Sequence, residues 1–114
     1  MNSVVLSGRL TRKPELVNTK SGNSMCTFCI AVRESEEKTH FIECIAFVRL
    51  ADAIYKNLDK GDKIVVSGNL NQRTYEGRDG TMRTVVEVYV REAEFQLKLV
   101  DAPVEEPKSK KAKK

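Results

Sequence analysis

The chain has 114 residues, 40% of them hydrophobic but only 6% aromatic, with no tryptophan and a formal charge of +4. That length holds one domain with one modest core, and no apolar run approaches the length that spans a bilayer. Three cysteines, an odd number behind an N-terminus that lacks a secretory pattern, point to reduced thiols in a cytoplasmic protein rather than a disulfide framework. The charge is divided evenly. From residue 101 onward five lysines stand against Asp101, Glu105 and Glu106, giving +2 and leaving +2 on residues 1–100. A body so mildly basic must build any anion-binding surface from local arrangement.

In chain order, "SVVLSGRL" (3–10) predicts a strand, followed by a long loop through Pro14 and "NTKSGN". "SMCTFCIAVR" (24–33) predicts a second strand with Cys26, Phe28, Ile30 and Val32 on its apolar face, and "ESEEKT" a charged connection to a third, "HFIECIAFVR" (40–49). Leu50, Ile54 and Leu58 then recur at helical spacing, with Gly61 suited to the position past a helix end. "DKIVVSGNLNQRTYE" (62–76) and "TMRTVVEVYVREAEF" (81–95) read as two long strands around "GRDG". The pattern stops after Leu99, which predicts one domain over 1–100 and a disordered Lys-rich tail over 101–114. Three strands, a helix and two strands is the order of the OB-fold, a five-stranded Greek-key barrel. The expected class is therefore all-β, with one helix between strands three and four.

Parity within the strands raises the functional question. In the third strand Ile42, Cys44, Ala46 and Val48 form one apolar row, while Phe41, Glu43, Ile45, Phe47 and Arg49 share the opposite face. The fourth strand places Ile64, Val66, Gly68 and Leu70 on one side, and Lys63, Asn69, Asn71, Arg73 and Tyr75 on the other; the following hairpin adds Arg78 and Arg83. Rings beside cations on a face that is not the core suit single-stranded nucleic acid. An unstacked base offers its π face to a ring for about 1–3 kcal/mol, and Lys and Arg follow the phosphates without reading sequence. Duplex DNA fits less well, because its bases are already stacked and no recognition helix is evident. A strand Phe is more often core than ligand-binding, as expected for Phe28 and Phe95. Pattern alone leaves Phe41 and Phe47 open between the two roles and tilts Tyr75, in an otherwise polar row, toward the ligand. Any one of Arg49, Lys60, Lys63 and Arg73 would more often be a solvated charge.

Two other chemistries are weighed and set aside. Cys26, Cys29, His40 and Cys44 supply zinc-ligating atoms, but "CTFCIAV" lacks turn residues, and a strand sends Cys26 and Cys29 to opposite faces. Buried thiols without metal are the expected state. An enzyme is not expected either: there is one histidine, no Gly-rich loop before a helix, and no carboxylate pair set to act as acid and base. No cofactor is called for. Two alternatives remain: an OB-fold protein-interaction or primosome-type assembly subunit with secondary nucleic-acid binding, and an RNA-binding barrel.

"VVLSGRLTRKPEL", "FCIAVRE", "HFIECIAFVRLADAIYKNLDKGDKIVVSGNL" and "RTYEGRDGTMRTVVEVYV" resemble the bacterial and phage single-stranded DNA-binding proteins, from about residue 2 to 97. The resemblance implies an OB-fold assembled as a homotetramer that protects single-stranded DNA in replication, recombination or repair. It implies base stacking on Phe41, Phe47 and Tyr75, and phosphate contacts from Arg49, Lys60, Arg73 and, as a weaker match, Arg9. Three departures stand out. The family often has tryptophan where this chain has Phe or Tyr. Glu43 lies on the binding-face parity and needs a neutralising neighbour such as Arg49. Finally, "VEEPKSKKAKK" lacks the family's Gly/Gln/Pro-rich linker and acidic tip, so recruitment of replication enzymes by that route is not expected. The lysines would serve as weak DNA contacts or as a solubilising end, and the ending suggests a phage or mobile-element member.

Overall fold

The computed structural model describes residues 1–96, so the proposed tail and the last residues of the proposed domain lie outside the described residues. Six strands and one helix follow in order: β1 (Val4–Leu10), β2 (Glu15–Asn18), β3 (Ser24–Ser35), β4 (Lys38–Phe47), α1 (Val48–Asn57), β5 (Lys63–Glu76) and β6 (Met82–Glu94). Five strands close a barrel in the order β1-β5-β6-β4-β3, with β3 returning to β1 through Arg9↔Ala31 and Leu10↔Ile30. The expected OB-type architecture is present, with its helix between the third and fourth barrel strands. Four pairings are antiparallel, and β4 with β6 is parallel, through Cys44↔Val88 and Ile45↔Tyr89.

The alternation visible in the sequence builds the core. Phe28, Ile30, Ile64, Val66 and Val88 are fully buried from the inward parity of their strands, together with Cys26 and Cys44. Each large apolar side chain withdrawn from water contributes on the order of 1.5–3 kcal/mol. A bulge between Ser67 and Gly68 shifts the β5–β6 register, so that inward residues run from Val88 and Val90 to Ala93. Such an irregularity bends and twists the strand pair where the barrel must curl. Helix α1 buries Ala51 and Ile54, and Leu58 at its C-terminal cap completes the apolar stripe, spaced by three and four residues. Phe95 packs half-buried against the core, in line with expectation.

Four local readings change. The loop after Pro14 contains β2, which adds to β3 outside the barrel closure through Glu15↔Thr27 to Asn18↔Ser24. All four of its residues are exposed, so it has no alternation for a sequence pattern to reveal. The hairpin connection is shorter than expected, because β3 runs to Ser35 and β4 begins at Lys38. The third barrel strand ends at Phe47, not at residue 49, because Val48 adopts φ 59° and turns the chain into α1. Gly61, at φ 89°, stands beyond the helix cap at Leu58 and belongs to the turn in which the Asp62 amide donates to the Asp59 carbonyl at 3.1 Å.

Candidate nucleic-acid interface

The outward parity of the barrel strands forms one continuous surface, and register fixes who stands beside whom. Ala31 pairs with Phe41, Cys29 with Glu43, Thr27 with Ile45 and Met25 with Phe47 across β3–β4. Ile45 is opposite Tyr89, Tyr89 opposite Asn69, Asn71 opposite Glu87, Arg73 opposite Val85 and Tyr75 opposite Arg83. All three sequence-predicted rings face outward. Phe41 is 67% exposed, Phe47 39% and Tyr75 44%. Such apolar area facing water is what a stacking surface offers a flat ligand.

A fourth ring joins them. Tyr89 meets Phe47 edge to face, with centroids 5.4 Å apart and planes at 70°, while Ile45 is buried on the same outward parity. The contact fixes the Phe47 ring before any ligand arrives. Tyr89 is legible in "TVVEVYV" (84–90), where Val85, Glu87 and Tyr89 share the outward parity.

Two of the predicted cations, Arg73 and Arg83, are already paired. The Arg73 guanidinium donates to both carboxylate oxygens of Glu87, at 3.0 and 3.2 Å. Glu87 is only 6% exposed, and its hydrogen bonds hold the Arg73 pKa above its ordinary value. The same guanidinium lies 5.6 Å from the Tyr75 ring centroid, within cation–π reach. Arg73 therefore stands beside Tyr75 as expected, but as a neutralised support for that ring. Arg83 donates to Asp79 at 3.3 Å. Asp79 in turn accepts from the Thr81 hydroxyl and amide, which lowers its pKa, and these contacts order the β5–β6 turn.

Glu43 does have a neutralising partner, but it is Arg12, at 3.2 Å, and not Arg49. Arg49 has left the strand row for the first turn of α1, where it is exposed. Arg12 lies in the loop before β2 and meets Glu43 across 31 positions of sequence, a contact that no local pattern encodes. Lys60 and Arg78 are exposed in turns, Lys63 is exposed at the start of β5, and Arg9 is exposed opposite Lys63 across β1–β5. The rings and the predicted cations thus share the outward surface without forming one cluster.

The residues weighed for zinc are spread apart. Cys26 and Cys44 face the barrel interior, where burial pushes their thiols up to about 11 and about 12. Cys29 lies under the outer face beside Glu43, and His40 is exposed with Nε2 2.6 Å from Glu34. No helix among the described residues is long and apolar enough to cross a membrane.

Comparison with known proteins places the chain in a family. The model of the single-strand binding protein family matches residues 1–96. The chain belongs to that family. It is 40% identical over 98 residues to a single-stranded DNA-binding protein of Clostridium perfringens (strain 13 / Type A), covering 83% of this chain and 65% of that protein. Single-stranded DNA-binding protein 1 of Staphylococcus aureus (strain COL) is 40% identical over 101 residues, covering 83% and 60% respectively. Single-stranded DNA-binding protein 3 of Listeria innocua is 37% identical over 101 residues, covering 83% and 63%. The matched stretch spans 60–65% of these relatives' lengths and takes in the whole described barrel.

Proposed function

We propose that this chain binds single-stranded DNA without sequence preference, as a binder and not a catalyst, and protects it during replication, recombination or repair. Bases stack on Phe41, Phe47 and Tyr75, while Arg9, Arg49, Lys60, Lys63 and Arg78 follow the phosphates; Arg73 and Arg83 act mainly by orienting the surface around Tyr75. The observation that carries this reading is three exposed rings on the outward face of one barrel, in a chain that belongs to the single-strand binding protein family. Because such a protein takes up the single strand and not the duplex, it opens secondary structure by mass action.

A homotetramer is part of the proposal. Strand β1 pairs with β5 from Val4 to Arg9 but with β3 only at Arg9 and Leu10. Its edge from Val4 to Leu6, short of the place where Gly8 lies against Ala31, is therefore open to another chain among the described residues, and Val5 beside it is 68% exposed. One strand of DNA crossing several protomers would gain effective concentration at each step.

The test is a titration with oligo-dT of increasing length, with RNA and duplex as competitors, beside a sedimentation measurement of mass. Affinity should climb with length and duplex should compete poorly. About five phosphate contacts per protomer give a slope of log K against log salt near −3.5. Length-independent binding would instead indicate a protein-docking barrel.

A further inference from the structure

Where β1 and β3 part beyond Ala31, the barrel wall opens into a concave site of about 400 Å³ lined by Ser7, Gly8, Arg9, Ala31, Arg33, Thr39 and Lys63. Three of these side chains are cationic and none is acidic. Each cation arrives from a different strand: Arg9 from β1, Arg33 from β3 and Lys63 from β5. Register explains the convergence, since Arg9 is opposite both Ala31 and Lys63, and Arg33 follows Ala31 on the same outward parity.

The cations here differ from those of the ring surface. Arg12, Arg73 and Arg83 each hold a carboxylate. No salt bridge among the described residues involves Arg9, Arg33 or Lys63. The two guanidiniums are instead anchored on backbone carbonyls, Arg9 on Gly61 at 3.0 Å and Arg33 on Ser35 at 3.3 Å. Each anchor uses a fraction of the five N–H donors a guanidinium carries. Asp62, which precedes Lys63, accepts the Asp59 amide at 2.8 Å.

Gly8 lets the floor of the site close. A Cβ there would collide with the Ala31 carbonyl, so only glycine lets β1 lie against β3 where the cations converge. Thr39, opposite Arg33 across β3–β4, adds a hydroxyl to the rim. Three cations with free donors around a hollow form a site for a doubly shared anionic oxygen pair, the geometry of a phosphodiester.

We infer that Arg9, Arg33 and Lys63 form one phosphate cradle, and that it takes the sugar–phosphate chain of a strand whose base lies on Phe41. Phe41, Ala31, Arg9 and Lys63 are successive partners across four neighbouring strands. Three interstrand gaps of about 4.8 Å put the far side of the cradle roughly 14 Å from the ring. A single strand crossing the barrel at Phe41 runs from a stacking site directly into a cationic one. Arg33 thereby becomes a DNA contact that its parity row of Met25, Thr27, Cys29 and Ala31 does not announce. The inference rests on single-strand binding as proposed above.

The test measures the salt dependence of oligo-dT binding for the full chain and for Arg33→Gln, Arg33→Lys, the triple Arg9→Gln/Arg33→Gln/Lys63→Gln, and Lys56→Gln on the helix as a control. One lost phosphate contact makes the slope shallower by about 0.7, and three by about 2. Arg33→Gln should show the first shift and the triple variant the second. Arg33→Lys should keep the slope, and so should Lys56→Gln. An unchanged slope in Arg33→Gln, while Phe41→Ala still weakens binding, overturns the cradle and leaves single-strand binding standing. Equal shifts in Arg33→Gln and Lys56→Gln also overturn it, by reducing it to net charge. Failure of the unsubstituted chain to bind oligo-dT overturns both readings.

Discussion

The β4–β6–β5 surface and the β1–β3 cleft have similar numbers of cations and opposite electrostatics. On the first, Arg12, Arg73 and Arg83 stand 3.0–3.3 Å from the carboxylates of Glu43, Glu87 and Asp79, and the rings Phe47, Tyr75 and Tyr89 lie among them. In the second, Arg9, Arg33 and Lys63 surround a hollow, with the Phe41 ring one strand away. A cation locked to a carboxylate gives little net charge to a distant anion, whereas a free one contributes its whole field. The contrast teaches that stacking and charge attraction need not coincide in space, even where sequence parity mixes rings with arginines.

The largest expected effects break the ring side. Phe41→Ala and Tyr75→Ala should each lower oligo-dT affinity by about 1–3 kcal/mol while leaving the salt slope unaltered, because a lost stacking partner releases no counterion. Phe47→Ala should fall in the same range and in addition loosen Tyr89, its edge-to-face partner. Isothermal titration at several salt concentrations separates the two quantities. A ring variant that changes only the slope would merge the two regions into one.

A smaller effect divides Arg73 from the cleft cations. Because Glu87 already neutralises it, Arg73→Gln should leave the salt slope nearly unchanged, where the family resemblance implies a phosphate contact. It should destabilise the fold by about 1–3 kcal/mol, since the 6%-exposed Glu87 carboxylate is left without its fork of donors. Glu87→Gln runs the other way. It frees the Arg73 charge, so the slope should steepen by up to about 0.7, while Tyr75 loses the support that holds the guanidinium against it. Urea unfolding beside the same titrations reads both outcomes. A shallower slope in Arg73→Gln would place that side chain among the phosphate contacts after all.

These cases show what the sequence could disclose. Alternation along β4 and β5 separated Phe41, Phe47 and Tyr75 from the main apolar rows, because a strand's period is set by its own backbone, but for Phe41 and Phe47 it left core and ligand roles open until the family resemblance favoured the ligand. The strand and helix order likewise announced the barrel. The pairing of each charge was not legible. Glu43 meets Arg12 from a distant loop, and Glu87 meets Arg73 diagonally across the β5–β6 hairpin, where Arg73 is directly opposite Val85. Arg33 sits in a row that is otherwise small or apolar, which gives no sign of a cation site. Its function depends on β1 and β5 arriving at the same place. Parity failed outright at Arg49, one residue past a backbone corner that a valine gives no reason to expect.

That corner yields the smallest expected effect. Val48 holds φ 59°, a left-handed conformation that costs an L-residue about 1–2 kcal/mol, and β-branching makes it rarer still. Glycine adopts it freely, at an entropic cost of roughly 0.5–1 kcal/mol in the unfolded chain. Val48 is half exposed, so little burial is lost on truncation. Val48→Gly should therefore stabilise the domain by about 0.5–1 kcal/mol, read as a higher urea midpoint at unchanged m value. The corner ends β4 with Phe47 still on the ring surface and carries Arg49 into α1. If its only task is to turn the chain, Val48→Gly leaves oligo-dT affinity and slope as they were. Tighter folding with weaker binding would mean that the strained valine holds Phe47 in place for the base, extending the preorganised ring surface from Tyr89 into the backbone itself.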